Sequence, residues 1–511
     1  MSRSENHREA LVQSPDDSGD TQGETPLPWD QLGALIAVRL AEPINYALIM
    51  PFVYQMVEGF GVAKTSKDVS FYVGILMASF SVCQMITTMF WGPLSDRIGR
   101  RPTLLIGLAG DLTTFVLFGL SRSFTWALVA RSLNGFCAGN GAVVKSVIAE
   151  LADNSNRSRM MALLPLVYNV GMAFGAATGG LLADPVNQYP RVFGNCEIFR
   201  TFPYLLPCLV GSLTTSLGLV IGLLRLKETL VIVPVPDTDT NETTPLLSNT
   251  RPSVLQPKSM LALLTPTFRR LLSGNWLAGL AFIIGTQAYP IFAATKPSDG
   301  GLGFGTRSIG FSLSISGIAI LYLQLVVYPR LERKHGALKC YQMGLKIMTP
   351  YFFMLPFLSI LASHIERTVG GSDAILALPF PESWISHAGL EYCLLWILLV
   401  ILVVFQLVGD ILAFTSINLL VANIAPSRAT LGASNSLQQL ITSFNRLVGP
   451  LAAGSIWSWS IKHELPYPFN SHFIWVLCGT LMFFSWRLSL RLPSSVDVFA
   501  SGRTQQSRAG V

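Results

Sequence analysis

The sequence predicts an all-α membrane protein with twelve transmembrane helices in two pseudo-symmetric six-helix halves. Composition is the first reason. Of 511 residues, 50% are hydrophobic and only 13% are charged, and the mean hydropathy is +0.48. Soluble domains carry roughly 25% charged residues. A bilayer-spanning helix needs about 20 apolar residues, so twelve would occupy roughly 240 positions. The number of apolar runs is the second reason, and a weak internal repeat is the third.

Residues 1–30 open polar and net acidic, without the apolar core of a signal peptide, and are expected to form a disordered cytoplasmic tail. Apolar runs then begin near Leu32, Phe71, Thr103, Trp126, Met160 and Phe202, which sets a six-helix bundle over residues 31–225. A Thr/Pro/Asn-rich stretch follows, and residues 226–268 are expected to be a cytoplasmic linker. Six further runs begin near Leu271, Ile309, Cys340, Gly389, Leu431 and His472, giving a second bundle over residues 269–492 and a short cytoplasmic tail over 493–511. The loop after the second run reads WGPLSDRIGRRP (residues 91–102) and the loop after the eighth reads YPRLERKHGALK (residues 328–339). Each puts an acid, then bases and a Gly, between two spans. Likewise GAATGG (residues 175–180) in the fifth run faces GPLAAG (residues 449–454) in the eleventh. Many transporter folds are built from such repeats.

The net charge of +7 does not point to nucleic acid, because Lys and Arg are scattered over short loops rather than gathered on one face. These loops divide them almost evenly between the two sides. The linker, with Arg225, Lys227, Arg251, Lys258, Arg269 and Arg270, tips the bias toward cytoplasmic termini. The seven Cys fall mostly inside apolar runs with no C-x-x-C spacing, and the six His are scattered. Neither pattern suits a disulfide framework or a metal site. In the linker, ETTPLL (residues 242–247) is similar to an acidic dileucine sorting signal, while the sequons at Asn156 and Asn241 fall in segments expected to be cytoplasmic.

The GPLSDRIGRRP stretch confines a tight turn between two helices. Asp96 can pair with a neighbouring Arg or sit at a helix N-terminus, where backbone N–H groups favour a carboxylate. Such a contact can form in one conformation and break in another. Gly92, Leu94, Ser95, Asp96, Arg97, Gly99, Arg100 and Arg101, at these spacings, resemble the signature of the major facilitator superfamily between its second and third helices. RSLNGFCAGNGAVVKSVIAE (residues 131–150) is similar to that superfamily's second motif, with Arg131 and Gly135. Its second half, together with RLAEP (residues 39–43), resembles the zinc-induced-facilitator-like branch, close to the twelve-helix drug:proton antiporters. In NVGMAFGAATGG (residues 169–180), Gly171, Gly175 and Gly179 make a flat helix face on which another helix can approach closely. With Gly180 they resemble the antiporter motif, although Ala176 stands where the family usually has Pro.

Ionisable residues inside apolar spans are costly and are functional candidates by default. Arg39 and Glu42 lie three apart on one face of the first helix. Glu42 is about 10 residues, or roughly 15 Å, from the inner end. Asp410 lies deep in the tenth run, Arg131 and Lys145 in the fourth, Lys346 in the ninth, Arg446 in the eleventh and Asp111 in the third. The resemblance implies a central cavity lined by the first, fourth, seventh and tenth helices. That places Arg39, Glu42, Arg131 and Asp410 as proton-coupling candidates, and Asn140, Lys145 and Gln287 as substrate-cavity candidates. It also makes Gly92, Asp96, Arg97, Gly99, Arg100 and Arg101 a conformational latch. Burial favours a neutral carboxyl group and a nearby guanidinium favours the charged one, so the Arg39–Glu42 contact could gate a proton.

The expected function is a secondary active transporter, not an enzyme, which exports a small organic molecule in exchange for protons. No cofactor is expected, and no Walker-type nucleotide loop is present. The alternative is a metal or monovalent cation as cargo, carried across an intracellular membrane. Against zinc stands the lack of a His-rich loop or a Cys-Pro-x-Cys element. A sensor would need a longer signalling tail, and RLKETL (residues 225–230) does not match the segment that follows the sixth helix in sugar symporters. The protein is expected to work as a monomer, in the plasma or vacuolar membrane.

Overall fold

The computed structural model of the chain describes residues 26–152, 156–230, 265–369, 387–424, 428–463 and 466–497. The N-terminal tail, the sorting-like ETTPLL stretch with Asn241, and the end of the C-terminal tail lie outside the described residues. In the first half, α1 spans Trp29–Leu48, α2 Val69–Ile98 and α3 Arg100–Gly119, while α4 consists of Phe124–Cys137 and Asn140–Leu151. It ends with α5 at Arg157–Leu182 and α6 at Leu205–Arg225. The second half holds α7 at Pro266–Ala294 and α8, made of Thr306–Tyr322, a π-helical turn Leu323–Val327 and Tyr328–His335. Then come α9 at Ala337–Val369, α10 at His387–Ile424, α11 at Arg428–Lys462 and α12 at Phe473–Ser489. These are the twelve long helices among the described residues, which contain no strand.

Six of them, α2, α3, α6, α7, α9 and α10, are long and apolar enough by themselves to cross a membrane, and α1 joins them if its continuation Val53–Gly59, bent by 54°, is counted with it. The other five fall short for separate reasons. α4 and α8 are interrupted midway, α12 has only 17 residues, and α5 and α11 carry glycines and polar side chains at their contacts.

Glycines set how closely the helices approach. A Cβ at Gly171 would lie 2.6 Å from the Pro43 ring, one at Gly175 would strike the Ile44 carbonyl oxygen, and one at Gly179 the Leu48 carbonyl oxygen. The flat face of α5 is therefore occupied by α1. Gly180, turned away from that face, packs instead on α8 of the other half, where an added Cβ would sit 2.5 Å from Gly310 Cα. The pseudo-symmetric contact joins α2 to α11: a Cβ at Gly74 would lie 2.8 Å from the Pro450 carbonyl oxygen and 3.1 Å from Gly454 Cα. Both approaches lie on the membrane side opposite the termini. Ser458 Oγ donates to the Lys67 carbonyl at 2.8 Å, Lys462 pairs with Asp68, and Gln188 Nε2 donates to Thr306 Oγ1 at 3.0 Å on the same side. Nearer the midplane, Asn169 Nδ2 donates to Gln324 Oε1 of the π-turn at 3.1 Å. The halves are thus closed on that one side.

On the termini side the two halves share a second device. Gly99, with φ +102°, turns the chain from α2 into α3, and Gly336, with φ +84°, turns it from α8 into α9. The residues after each half's last helix then cap these starts. Glu228, beyond α6, accepts from the Arg100 and Arg101 backbone N–H groups at 2.8 and 3.0 Å. Asp497, beyond α12, accepts from the Leu338 N–H at 3.2 Å. A carboxylate at a helix start satisfies orphan donors and favours the helix dipole.

Two predictions follow from this packing. Partial burial works to raise the Glu228 pKa, but backbone N–H bonds from Leu230, Arg100, Arg101 and Thr229 outweigh it and hold the carboxyl below its usual range. A depressed folded-state pKa means the stabilisation is present above the unfolded value and disappears as pH falls through the folded one. Glu228→Ala should therefore lower stability by about 1 kcal/mol at neutral pH. The deficit should disappear as pH falls through the depressed folded-state pKa, read by thermal unfolding in detergent. Separately, Gly180→Val should separate the halves on the closed side. Spin labels at Thr65→Cys and His463→Cys should report a longer distance than in the parent protein, and an unchanged distance would contradict this account of the seam.

Candidate functional site

Midway along α1, Pro43 interrupts the helix's hydrogen-bond ladder, freeing the carbonyl of residue 39. Here Arg39 Nη1 and Glu42 Oε2 form the ion pair expected from their spacing, at 2.5 Å. Gln84 of α2 donates through Nε2 to the other Glu42 oxygen at 3.1 Å and to the Ala138 carbonyl at 2.9 Å. That carbonyl is within reach because α4 breaks at Ala138 and Gly139. The break in turn depends on Trp91, whose indole fills the space a Cβ at Gly139 would need and whose Nε1 donates to the Phe136 carbonyl at 3.0 Å. The helix break thus orients the amide that holds the carboxylate.

Cations surround the pair. The Arg39 guanidinium lies 6.0 Å from the centre of the Tyr168 ring. A Cβ at Gly141 would stand 3.8 Å from Glu42 Oε2, so this face of the second piece of α4 looks onto the pair. Lys145, one turn further on, is exposed on the same face. Lys145 and Arg446, the latter from α11 of the opposite half, are within electrostatic range of Glu42 and of each other. Gln287 of α7 is buried and donates to the Tyr46 hydroxyl at 2.9 Å, tying the halves together toward the closed side.

Behind Glu42, inside the first half, lies a polar network centred on Asp111 of α3. Asn134 Nδ2 donates to Asp111 Oδ1 at 2.6 Å, and Asn45 Nδ2 donates to Oδ2 at 2.6 Å. Thr215 Oγ1 is 3.3 Å from the same Oδ2. Arg131 is only 1% exposed and, among the described residues, has no carboxylate in direct contact. Its Nη1 donates to Asn134 Oδ1 at 3.1 Å, and its guanidinium covers the Phe80 ring at 4.3 Å and the Tyr46 ring at 5.8 Å. Asn134 therefore relays the Arg131 charge to Asp111, and aromatic faces supply the remaining stabilisation of a buried cation.

The other candidates divide. Asn140 is buried within the first half, donating to the Leu104 carbonyl at 3.3 Å. Asp410 lies apart from the Glu42 cluster in the second half, near Tyr351 and behind the Gly409–Met348 contact. Its Oδ1 has no hydrogen-bond partner among the described residues. In the loop motif, Arg100 Nη1 bonds Asp96 Oδ1 at 2.5 Å and Ser95 Oγ at 2.6 Å, and Arg100 Nη2 reaches Glu150 Oε1 of α4 at 2.9 Å. Glu150 thus finds its partner on another helix rather than in Lys145. Arg101 Nη2 donates to the Leu223 carbonyl at 2.6 Å, Arg97 is exposed, and Gly92 lies one turn before Asp96. Sequence reasoning missed Asn45, Gln84, Asn134 and Tyr168 as site residues and gave Arg446 and Asp111 no specific role. A polar residue in every one of these apolar runs was the available signal, but their convergence was not.

The chain has relatives in sequence and in fold. The family model described as Major Facilitator Superfamily matches residues 35–380. The major facilitator superfamily multidrug transporter mfsB of Aspergillus fumigatus is 28% identical over 523 aligned residues, covering 88% of this chain and 81% of that relative. The protein ZINC INDUCED FACILITATOR-LIKE 1 of Arabidopsis thaliana is 28% identical over 455 residues, covering 86% of each. In fold, the chain is similar to a D-xylose-proton symporter, with a TM-score of 0.63 at 15% identity over 91% of this chain and 98% of the other. With its two six-helix halves, its motif loop and its charged cluster between them, the chain belongs to the Major Facilitator Superfamily: it is an integral membrane transporter, not an enzyme, and it resembles the zinc-induced-facilitator-like and drug:proton antiporter branch.

Proposed function

We propose that the protein exports a small organic molecule in exchange for protons, by alternating access of the cleft between its halves. The observation that carries this reading is the cluster of Arg39, Glu42, Lys145 and Arg446. It lies between halves joined, among the described residues, at the midplane and on the side opposite the termini. Relatives named as a multidrug transporter and as an efflux pump support an organic cargo and the outward direction. With cytoplasmic termini, as the basic linker favours, the cleft of this conformation opens to the cytoplasm. The protein then functions as a monomer in the plasma or vacuolar membrane.

Glu42 is the proton carrier in this scheme. It alone among the candidate carboxylates adjoins both the cleft and a cation that can leave it. Cargo or movement of the halves pulls Arg39 away, the carboxylate loses its compensating charge, and a proton takes the cation's place. Lys145, Tyr168 and Arg446 provide the cargo-facing polar and aromatic surface. Arg100, held by Asp96, Ser95 and Glu150, ties the α2–α3 turn to the end of α4 and acts as the latch of this state.

Purified protein in liposomes containing a pH dye tests the scheme when challenged in turn with organic cations, organic acids, zinc and potassium. Proton movement should follow one organic class. It should fall at least tenfold, about 1.4 kcal/mol or more, in Glu42→Gln and persist in Asp410→Asn. Proton movement driven by zinc or potassium alone would establish the inorganic cargo instead, and cargo flux without protons would leave a uniporter. Arg100→Ala should shift the labelled Thr65/His463 distance distribution toward separated halves; an unaltered distribution would remove the latch assignment.

A further inference from the structure

Glu42 has a second carboxylate within reach. A cavity of about 20 Å³ lies between α1, α3 and α4, bounded by Arg39, Glu42, Gly107, Asp111, Cys137 and Asn140. A cavity of roughly 10–15 Å³ already suffices for one water if polar partners are present. Here the polar partners are two carboxylates, an amide and the Arg39 guanidinium. Asn140 is only 8% exposed, and its Oδ1 has no hydrogen-bond partner among the described residues. Gly107 stands against that carboxamide: a Cβ on it would lie 2.8 Å from Asn140 Cγ.

We propose that this cavity is a proton-transfer site, in which one bound water links Glu42 to Asp111 and Asp111 stores the proton while Arg39 occupies Glu42. The inference rests on the proton-coupled reading above but concerns a residue which that reading does not use. Asp111 suits storage because its contacts differ from those of Glu42. Glu42 touches a guanidinium, whereas Asp111 touches two amides and a hydroxyl. The titratable and charged groups around it are Arg39 and Glu42 on α1 and Arg131 and Cys137 on α4, with Tyr46 of α1 and Cys208 of α6 next to Arg131. Among the described residues none of these forms an ion pair with Asp111, and Arg131 reaches it through Asn134.

The network also provides a place for the added hydrogen. Thr215 Oγ1 accepts from Asn45 Nδ2 at 2.9 Å and donates to the Gly211 carbonyl at 3.1 Å. Its remaining lone pair can accept from a protonated Asp111 Oδ2, so the neutral acid is as fully hydrogen-bonded as the carboxylate. In the transfer, the Glu42 O–H bond breaks as a new O–H bond forms on the water. One of the water's original O–H bonds then breaks as the Asp111 O–H bond forms. One proton moves, the water is regenerated, and Glu42 is left charged to receive Arg39. The reverse sequence returns the proton when Arg39 leaves.

The test uses the full-length protein in liposomes and reads protons directly, without knowledge of the cargo. Infrared difference spectra across a pH titration should contain a carboxylic-acid C=O band that is lost in Asp111→Asn and displaced in Asp111→Glu. Glu42→Gln should move the midpoint of that band by about 1 pH unit, as expected for two carboxyl groups that titrate together. Gly107→Ala, which presses Asn140 into the cavity, should weaken this dependence while leaving the Asp111 band in place. A titration unchanged by Asp111→Asn, or an Asp111 band indifferent to Glu42→Gln, would overturn the proposal. Absence of cargo-driven proton flux in the dye assay, with the Asp111 band intact, would count against the transport reading and not against this site.

Discussion

A charge held away from water needs a dipole or an opposite charge beside it, and the first half of the molecule is arranged around that need. Arg131 is buried with no carboxylate in contact among the described residues, so aromatic faces and an amide have to stabilise it. Asn134 does so by turning its oxygen to the guanidinium and its nitrogen to Asp111. Asp111 in turn fixes Asn45 on α1 and approaches Thr215 on α6. Four helices are thereby tied together at one depth, and α1 is held in register with Glu42 facing the cleft. Removing any one amide would leave a buried charge or donor unmatched, which costs more than the lost bond itself is worth.

The repeat extends this order to the whole chain. Its two seams, α5 on α8 and α2 on α11, are related by the same pseudo-symmetry that relates Gly180 to Gly454 in the sequence. The two glycine turns and their carboxylate caps, Glu228 and Asp497, are similarly related. The caps differ in setting: Asp497 is 4% exposed, whereas Glu228 is open to solvent. The same topological solution has therefore been built with different local chemistry in each half, and among the described residues the dense charged network lies in the first.

Much of this was legible in sequence because it is local. Arg39 and Glu42 pair because residues three apart share a helix face, and Gly171, Gly175 and Gly179 pack on α1 because four-residue spacing makes a stripe. The motif loop was recognisable from its spacing, which also brought Arg100 to Asp96. What stayed hidden depends on contacts across long sequence separations. Asn45, Asp111, Asn134 and Thr215 come from four different helices, and no periodicity relates them. The break in α4 is not visible in the sequence, because its cause is the Trp91 side chain of a neighbouring helix rather than a proline. Asp410 looked equivalent to Glu42 by depth alone, yet the fold separates them.

The closed seam has a property that bears on how the molecule moves. At Gly74, Gly180, Gly310 and Gly454 the helices meet backbone on backbone, with no side chain inserted between them. Interlocking side chains would have to change rotamer before two surfaces could part. Surfaces of this kind can separate as they stand, losing dispersion contacts but demanding no repacking. Polar links such as Lys462 with Asp68 can be replaced by water as it enters. The seam therefore behaves as a dry joint between rigid bodies, which lets a modest rearrangement at the midplane decide on which side the joint is made.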